Sequence, residues 1–178
     1  CHHKTPRTIG GGDSYDNLVL VLAIQTGLAY TPIGGELKNS FCIGSSALFY
    51  PSPYVGDLED LRSVKALRET IDRFRTLLEA EPQLVACDMH PKYNSTAVAE
   101  SCGLPLMKVQ HHYAHVLSCM AENDYSQKTI GVSFDGTGYG TDGTIWGGEI
   151  LLSDFRGFER LGHIAVFSQP GGDLSAAE

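Results

Sequence analysis

The sequence predicts an α/β fold, and three stretches carry that prediction. Residues 18–24 form an uninterrupted apolar, partly β-branched run, the pattern of a strand buried on both faces. Across 57–80, Leu58, Leu61, Val64, Leu67, Ile71, Phe74, Leu77 and Leu78 recur at three- and four-residue steps between charged residues. That periodicity predicts an amphipathic helix lying on a sheet. Residues 110–149 then read as helix, turn, strand, glycine-rich turn, strand, with 129–134 as the first of the two strands.

A chain of 178 residues fits one domain, or one and part of another. Hydrophobic residues at 42% and charged ones at 19% describe a globular, core-forming protein. A formal charge of −8 argues against nucleic acid, whose phosphate backbone asks for a basic face. Local Lys or Arg can still meet a small phosphate ligand. Cys1, Cys42, Cys87, Cys102 and Cys119 are odd in number and contain no CxxC pair, so neither a disulfide framework nor a zinc ribbon is written here. A reducing compartment follows. The longest apolar run, 18–24, is far short of the roughly 20 residues of a membrane span. The N-terminus lacks the order of charge, apolar core and small residues of a signal peptide. A cytoplasmic protein with no membrane partner is expected.

In chain order, residues 1–16 are polar and glycine-rich. Cys1, His2 and His3 could ligate metal, but no second ligand pair follows at zinc-site spacing, and a loose terminus is the stronger reading. Residues 28–33 predict a second strand feeding Gly34, Gly35, Lys38 and Asn39. Two glycines let a backbone approach a ligand closely, and a lysine follows, which suits a phosphate cradle. The GxxxxGK[ST] spacing of a P-loop is absent, so on spacing alone a hairpin turn with an exposed lysine is the stronger reading. Residues 41–54 read as one strand and a loop containing Pro51 and Pro53, and Glu81-Pro82 stops the long helix. Strand 84–87 ends in Asp88-Met89-His90-Pro91. A carboxylate and an imidazole there stand at the sheet edge where α/β proteins bind ligands, or they simply hold the turn. Asn94 and Ser95 cap a helix over 96–102 that Gly103 ends, and 106–109 lead into the next helix. Residues 150–152 and a pair of short strands within 158–167 follow. Gly171-Gly172-Asp173 then opens a helix that the sequence does not complete, which predicts a fragment of a longer chain.

The densest chemistry lies in 110–149. His111 and His115 stand four apart, on one face of a helix, and can offer two imidazoles to one ion. Asp135, at the end of the next predicted strand, can add a carboxylate oxygen. Two His and one carboxylate form a recurring set for zinc or non-haem iron. The bland alternatives stay open: the histidine pair as a surface or capping feature, and Asp142-Gly143 as an ordinary type I′ hairpin turn.

Several blocks together resemble a known family. They are Gly34-Gly35-Glu36-Leu37-Lys38-Asn39-Ser40-Phe41, Val55-Gly56-Asp57-Leu58, Asp88-Met89-His90-Pro91-Lys92-Tyr93-Asn94-Ser95-Thr96, Val109-Gln110-His111-His112-Tyr113-Ala114-His115, the block 134–149, and Gln169-Pro170-Gly171-Gly172-Asp173. Their order resembles the hydrogenase-maturation carbamoyltransferases, HypF, over residues 28–178, whereas 1–27 match poorly. The resemblance implies an actin-like ATPase, ribonuclease H-like mixed sheet with flanking helices, of which 28–178 would be the first half of the transferase domain. It implies a divalent metal (iron, zinc or magnesium) at His111, His115 and Asp135. It implies ATP or carbamoyl-adenylate over Gly136, Thr137 and Gly138, with Gly34, Gly35, Lys38 and Asn39 as the first phosphate-side loop. Lys38, His111, His115 and Asp135 would be catalytic. The donor would be made from carbamoyl phosphate and ATP by modules missing from this chain, and the acceptor would be the C-terminal cysteine of a HypE-like protein. A relative carbamoylating a small hydroxyl acceptor, and a non-catalytic metal-binding module, remain the alternatives.

Overall fold

The computed structural model describes residues 19–22, 39–45 and 48–166, in two sheets. The first holds five strands in the order β3-β2-β1-β4-β5. They are β1 (Val19–Leu22), β2 (Phe41–Ser45), β3 (Leu48–Pro51), β4 (Leu84–Asp88) and β5 (Leu106–Val109). β1, β2 and β3 pair antiparallel in succession, while β4 pairs parallel with both β1 and β5, so the sheet is mixed. Parallel neighbours need a crossover, and helix α2 (Asn94–Ser101) supplies the one between β4 and β5. The segment 41–54, expected as one strand and a Pro-containing loop, holds a hairpin of two strands with Pro51 at the end of the second, because β2 turns back to pair with β3 from Cys42–Pro51 to Ser45–Leu48.

Helix α1 (Leu61–Leu77) is shorter than its periodicity, 57–80, predicted. Asp60 is the reason: its side chain accepts the Arg62 backbone N–H at 2.8 Å and caps the helix three residues after the apolar pattern begins. Leu58 therefore lies outside the helix yet is fully buried with Leu67, Ile71, Phe41, Ile43, Val85, Cys87 and Val98 in the main core. At α2, Asn94 is the first helical residue rather than a cap, its amide donating to the Leu58 carbonyl at 3.0 Å. Ser95 likewise lies inside the helix, fully buried. Gly103, at φ +67°, follows the C-cap as its sequence position predicted.

The second sheet is an antiparallel meander of β6 (Thr129–Tyr139), β7 (Ile145–Asp154) and β8 (Gly157–His163). Each strand departs from expectation. β6 runs five residues beyond Phe134, the strand expected after the glycine-rich turn and the strand expected at 150–152 are one continuous β7, and the predicted strand pair within 158–167 is one strand among the described residues. Helix α3 (His111–Glu122) packs on the meander through Val116 and Met120 against Trp146 and Leu151. Gly131 permits that approach, since a Cβ there would overlap the Val116 side chain. No helix among the described residues is long and apolar enough to cross a membrane, and the four described cysteines are all free thiols.

Candidate metal centre

The site forms where α3 begins. Gln110 is its N-cap, accepting the Tyr113 backbone N–H at 2.8 Å, and its amide group reaches the Tyr139 carbonyl at 3.3 Å. The start of the helix is thereby tied to the far end of β6. His111 and His115, one turn apart, point into the space between α3 and β6. His111 Nε2 lies 2.7 Å from Asp135 Oδ2 and 3.2 Å from His115 Nε2, and His115 Nε2 lies 3.4 Å from the same carboxylate oxygen.

Three donor atoms within 4.8 Å of one another suit one cation. In a tetrahedral site with bonds of about 2.0 Å, ligand atoms stand roughly 3.3 Å apart. The observed separations of 2.7, 3.2 and 3.4 Å bracket that value. Two imidazole nitrogens and one carboxylate oxygen suit zinc or iron better than magnesium, which takes oxygen ligands. The structure thus gathers His111, His115 and Asp135 into one cluster.

Asp135 does not end its strand as the apolar run suggested. It sits within β6 at an irregularity, where the register with β7 shifts between Phe134 and Gly138. A bulge of this kind re-aims side chains, and Asp135 turns to α3 with its side chain 5% exposed. Its other oxygen accepts the Gly136 backbone N–H at 2.7 Å. Gly136, Thr137 and Gly138 therefore occupy a bulged strand, not the turn, which lies at 140–144 and closes with Gly140 N–H donating to the Thr144 carbonyl at 2.8 Å. Gly136 faces open space, while at Gly138 a Cβ would meet His112 Cε1 at 2.6 Å. Asn39 is buried at the rim of the five-stranded sheet, its backbone bridged to Gly56 at 2.9 Å. Gly34, Gly35 and Lys38 lie outside the described residues, as do strand 28–33 and the helix opening at Gly171.

The electrostatics are those of a tight ion-paired knot. Burial pulls the His111 ring down, but the hydrogen bonds and negative charges of Asp135 and Asp88 outweigh it and raise the ring to about 9. Burial would raise Asp135, yet hydrogen bonds from His111 and His115 hold its carboxyl well below the ordinary carboxylate range. His112, fully buried, is pushed down by burial and by the neighbouring His111. Its Nδ1 lies 3.0 Å from the Gln110 amide nitrogen, which can only donate, so the His112 proton sits on Nε2.

Sequence reasoning left Asp88 evenly poised between ligand edge and turn. It holds the turn, where Oδ1 accepts the His90 backbone N–H at 2.8 Å, and it reaches the histidine cluster, where Oδ2 lies 3.0 Å from His111 Nδ1. His90 stacks on Tyr93 at 4.0 Å and meets Tyr139 edge-on at 5.1 Å. Gln110 went unnoticed; its only signal was a cap-competent residue directly before the His-His pair. His115 remains 26% exposed and opens onto a groove of about 440 Å³ between α3 and β6, lined also by Cys119, Met120, Gly131 and Ser133. A centre with an open side can admit a reacting molecule.

Comparison with known proteins now bears on this arrangement. The family described as the HypF Kae1-like domain matches residues 26–122, more than half of the chain. The chain belongs to the HypF family. A second HypF-related family, described as the carbamoyltransferase Kae1-like domain, second subdomain, matches residues 131–178. The first match ends with α3 at residue 122 and the second begins at 131, within β6, so the boundary spans the passage from one sheet to the other. The carbamoyltransferase HypF of Rhizobium leguminosarum bv. viciae is 37% identical over 145 residues, covering 82% of this chain and 19% of its own length. The carbamoyltransferase HypF of Synechocystis sp. is 40% identical over 136 residues, covering 76% and 18%. Among solved structures, full-length HypF in its phosphate- and nucleotide-bound form superposes with a TM-score of 0.73 at 42% identity, covering 83% of this chain and 18% of that one. T. kodakarensis HypF superposes with a TM-score of 0.75 at 37% identity, covering 90% and 20%. The chain spans about a fifth of the length of these HypF relatives.

Proposed function

We propose that this chain is the metal-bearing part of a HypF-type carbamoyltransferase domain. In the complete protein that domain moves a carbamoyl group from carbamoyl-adenylate, made from carbamoyl phosphate and ATP by other modules, to the C-terminal cysteine of a HypE-like acceptor. The product feeds cyanide-ligand synthesis for [NiFe] hydrogenase in the cytoplasm. The observation that carries the reading is the convergence of His111 Nε2, His115 Nε2 and Asp135 Oδ2 on one point. A HypF relative of known structure is a phosphate- and nucleotide-bound form, which supports nucleotide chemistry beside such a centre.

The fold assigned with this function is the actin-like, ribonuclease H-like one, with residues 28–178 as the first half of its transferase domain and 1–27 as a poorly matched lead. Two antiparallel meanders support it, since β6-β7-β8 repeats the β1-β2-β3 arrangement of the first sheet. In the first sheet the outer edge of β1 carries the parallel strand β4, and the corresponding edge of β6 has no strand among the described residues.

His111, His115 and Asp135 would hold zinc or iron, a cation supplying positive charge to phosphate oxygens and to the carbamoyl carbonyl when bound. Gly136, Thr137 and Gly138 would line the nucleotide phosphates, with Gly34, Gly35, Lys38 and Asn39 as the first phosphate-side loop. Lys38 would offset the charge of the departing phosphate. The acceptor thiolate forms its bond to the carbamoyl carbon as the bond to the adenylate oxygen breaks and AMP leaves. A thiol is already partly ionised near neutral pH, so this step asks little of a general base.

Elemental analysis followed by isothermal titration of the metal-loaded chain with ATP tests the reading. Near one metal per chain with measurable ATP uptake is expected, and His111→Ala should abolish the metal. Unchanged metal content in His111→Ala would remove the ligand assignment.

A further inference from the structure

We propose that Asp88 is a positioning residue for this centre: it holds a hydrogen on His111 Nδ1, so that Nε2 is the nitrogen that gives up its hydrogen to an ion at the point shared with His115 and Asp135. The inference rests on reading those three residues as metal ligands, and it adds a fourth residue from a different sheet. Asp88 ends β4 of the five-stranded sheet, whereas His111 opens α3 and Asp135 belongs to the meander.

The geometry leaves Asp88 little else to do. Its side chain is 4% exposed, and its Oδ2 stands 3.0 Å from His111 Nδ1. Its Oδ1 is taken by the His90 backbone N–H at 2.8 Å. A carboxylate accepts and does not donate, so Nδ1 must carry a hydrogen. The two ring nitrogens lie on different sides of the imidazole, so a residue bonded to Nδ1 is not a ligand for an ion at Nε2. A carboxylate behind a metal-bound imidazole orients the ring, sets its tautomer and strengthens it as a donor.

Asparagine exposes the difference between positioning and mere packing. Asp88→Asn keeps the shape but leaves one acceptor oxygen facing two N–H donors, from His90 and His111. If the oxygen serves His90, the amide NH2 faces His111 Nδ1, and the ring must move its proton to Nε2, where it blocks the metal. If the oxygen serves His111, the amide NH2 abuts the His90 N–H. Either way the ligand is weakened while the carbon skeleton is unchanged.

The test uses zinc alone, titrated into the chain against a chromophoric chelator, with far-ultraviolet circular dichroism as the check on folding. Asp88→Asn should bind zinc roughly tenfold to a hundredfold more weakly than the parent, with the same helix content. In the zinc-loaded parent labelled with nitrogen-15 histidine, long-range proton–nitrogen NMR should show His111 protonated at Nδ1 and ligated through Nε2. Equal zinc affinity in parent and Asp88→Asn, or His111 ligated through Nδ1, overturns the inference and leaves the three ligands standing. A parent chain that takes up no zinc removes the ligand reading itself, and the inference with it. If Asp88→Asn does not fold, the tautomer in the parent decides alone.

Discussion

His111 stands between two carboxylates, Asp88 on Nδ1 and Asp135 on Nε2, and this governs how the site answers to pH. Its ring is raised from 6.5 to about 9, so the charged ring is favoured by folding. Stability from that ion pair is complete below pH 6.5 and is lost as pH rises through about 9. Zinc binding runs the other way, because the ion must displace the proton on Nε2. Zinc affinity should therefore climb about tenfold per unit between pH 7 and 8, flattening above the His111 value. Chelator competition at several pH values measures the slope, and a flat profile would mean that His111 gives up no proton to the metal. Gly138 protects the same site sterically. A Cβ there would lie 2.6 Å from His112 Cε1, 2.9 Å from its Nδ1 and 3.0 Å from His111 Cβ. These rings are enclosed and have little room to retreat, so β6 itself must shift. Gly138→Ala should cost about 1–3 kcal/mol in urea unfolding and weaken zinc binding together with stability.

At the scale of elements, what was legible depended on whether the information is local. The helix α1 could be read from its own spacing, because one buried stripe repeats every three or four residues through Leu67 and Ile71. Its ends could not, since Asp60 stops the helix by a side-chain bond that competes with the apolar pattern around Leu58. The histidine pair was legible for the same reason as α1. Asp88 was not resolved, because its partner lies 23 residues away across two elements. β6 was cut short at Phe134 because glycines signal a turn, yet β7 supplies a ladder partner for Gly138 and Tyr139 beyond the bulge. That partnership also fixes a buried charge that gives no sequence signal. Glu149, 1% exposed, accepts from Arg160 Nε at 2.6 Å and Nη2 at 2.9 Å, and the guanidinium lies 4.0 Å over the Trp146 ring. Removing one partner of a buried pair leaves the other charge uncompensated. Glu149→Ala should lower the unfolding free energy by about 3–5 kcal/mol, whereas a loss under about 1 kcal/mol would show that Asp142 and water replace it.

Across the whole molecule, the two sheets differ in how completely they are covered. The five-stranded sheet encloses a continuous core with α1 and α2. Among the described residues the meander is covered by α3 on one face only. On its other face Ile130, Val132 and Phe134 of β6 are 61%, 53% and 75% exposed, with Ile150 and Ile164 beside them at 39% and 56%. Alternation makes this a single patch: Val132 pairs across the ladder with Ile150, and Phe134 with Gly148, against which Ile164 lies. Contiguous apolar surface of this kind marks a contact site or an aggregation hazard, and the unpaired edge of β6 among the described residues adds strand pairing to it. In a HypF relative about five times as long, further chain is available to cover such a face. With that described face uncovered, the isolated chain should self-associate at micromolar concentration. Val132→Lys with Phe134→Lys should return it to monomer in sedimentation velocity. Both side chains are solvent-facing, so the unfolding free energy should stay within about 0.5 kcal/mol of the parent. A parent chain that is already monomeric would show that the patch is too well broken up to bind. Loss of stability in the charged variant would show that β6 depends on its outer side chains for folding as well as for contact.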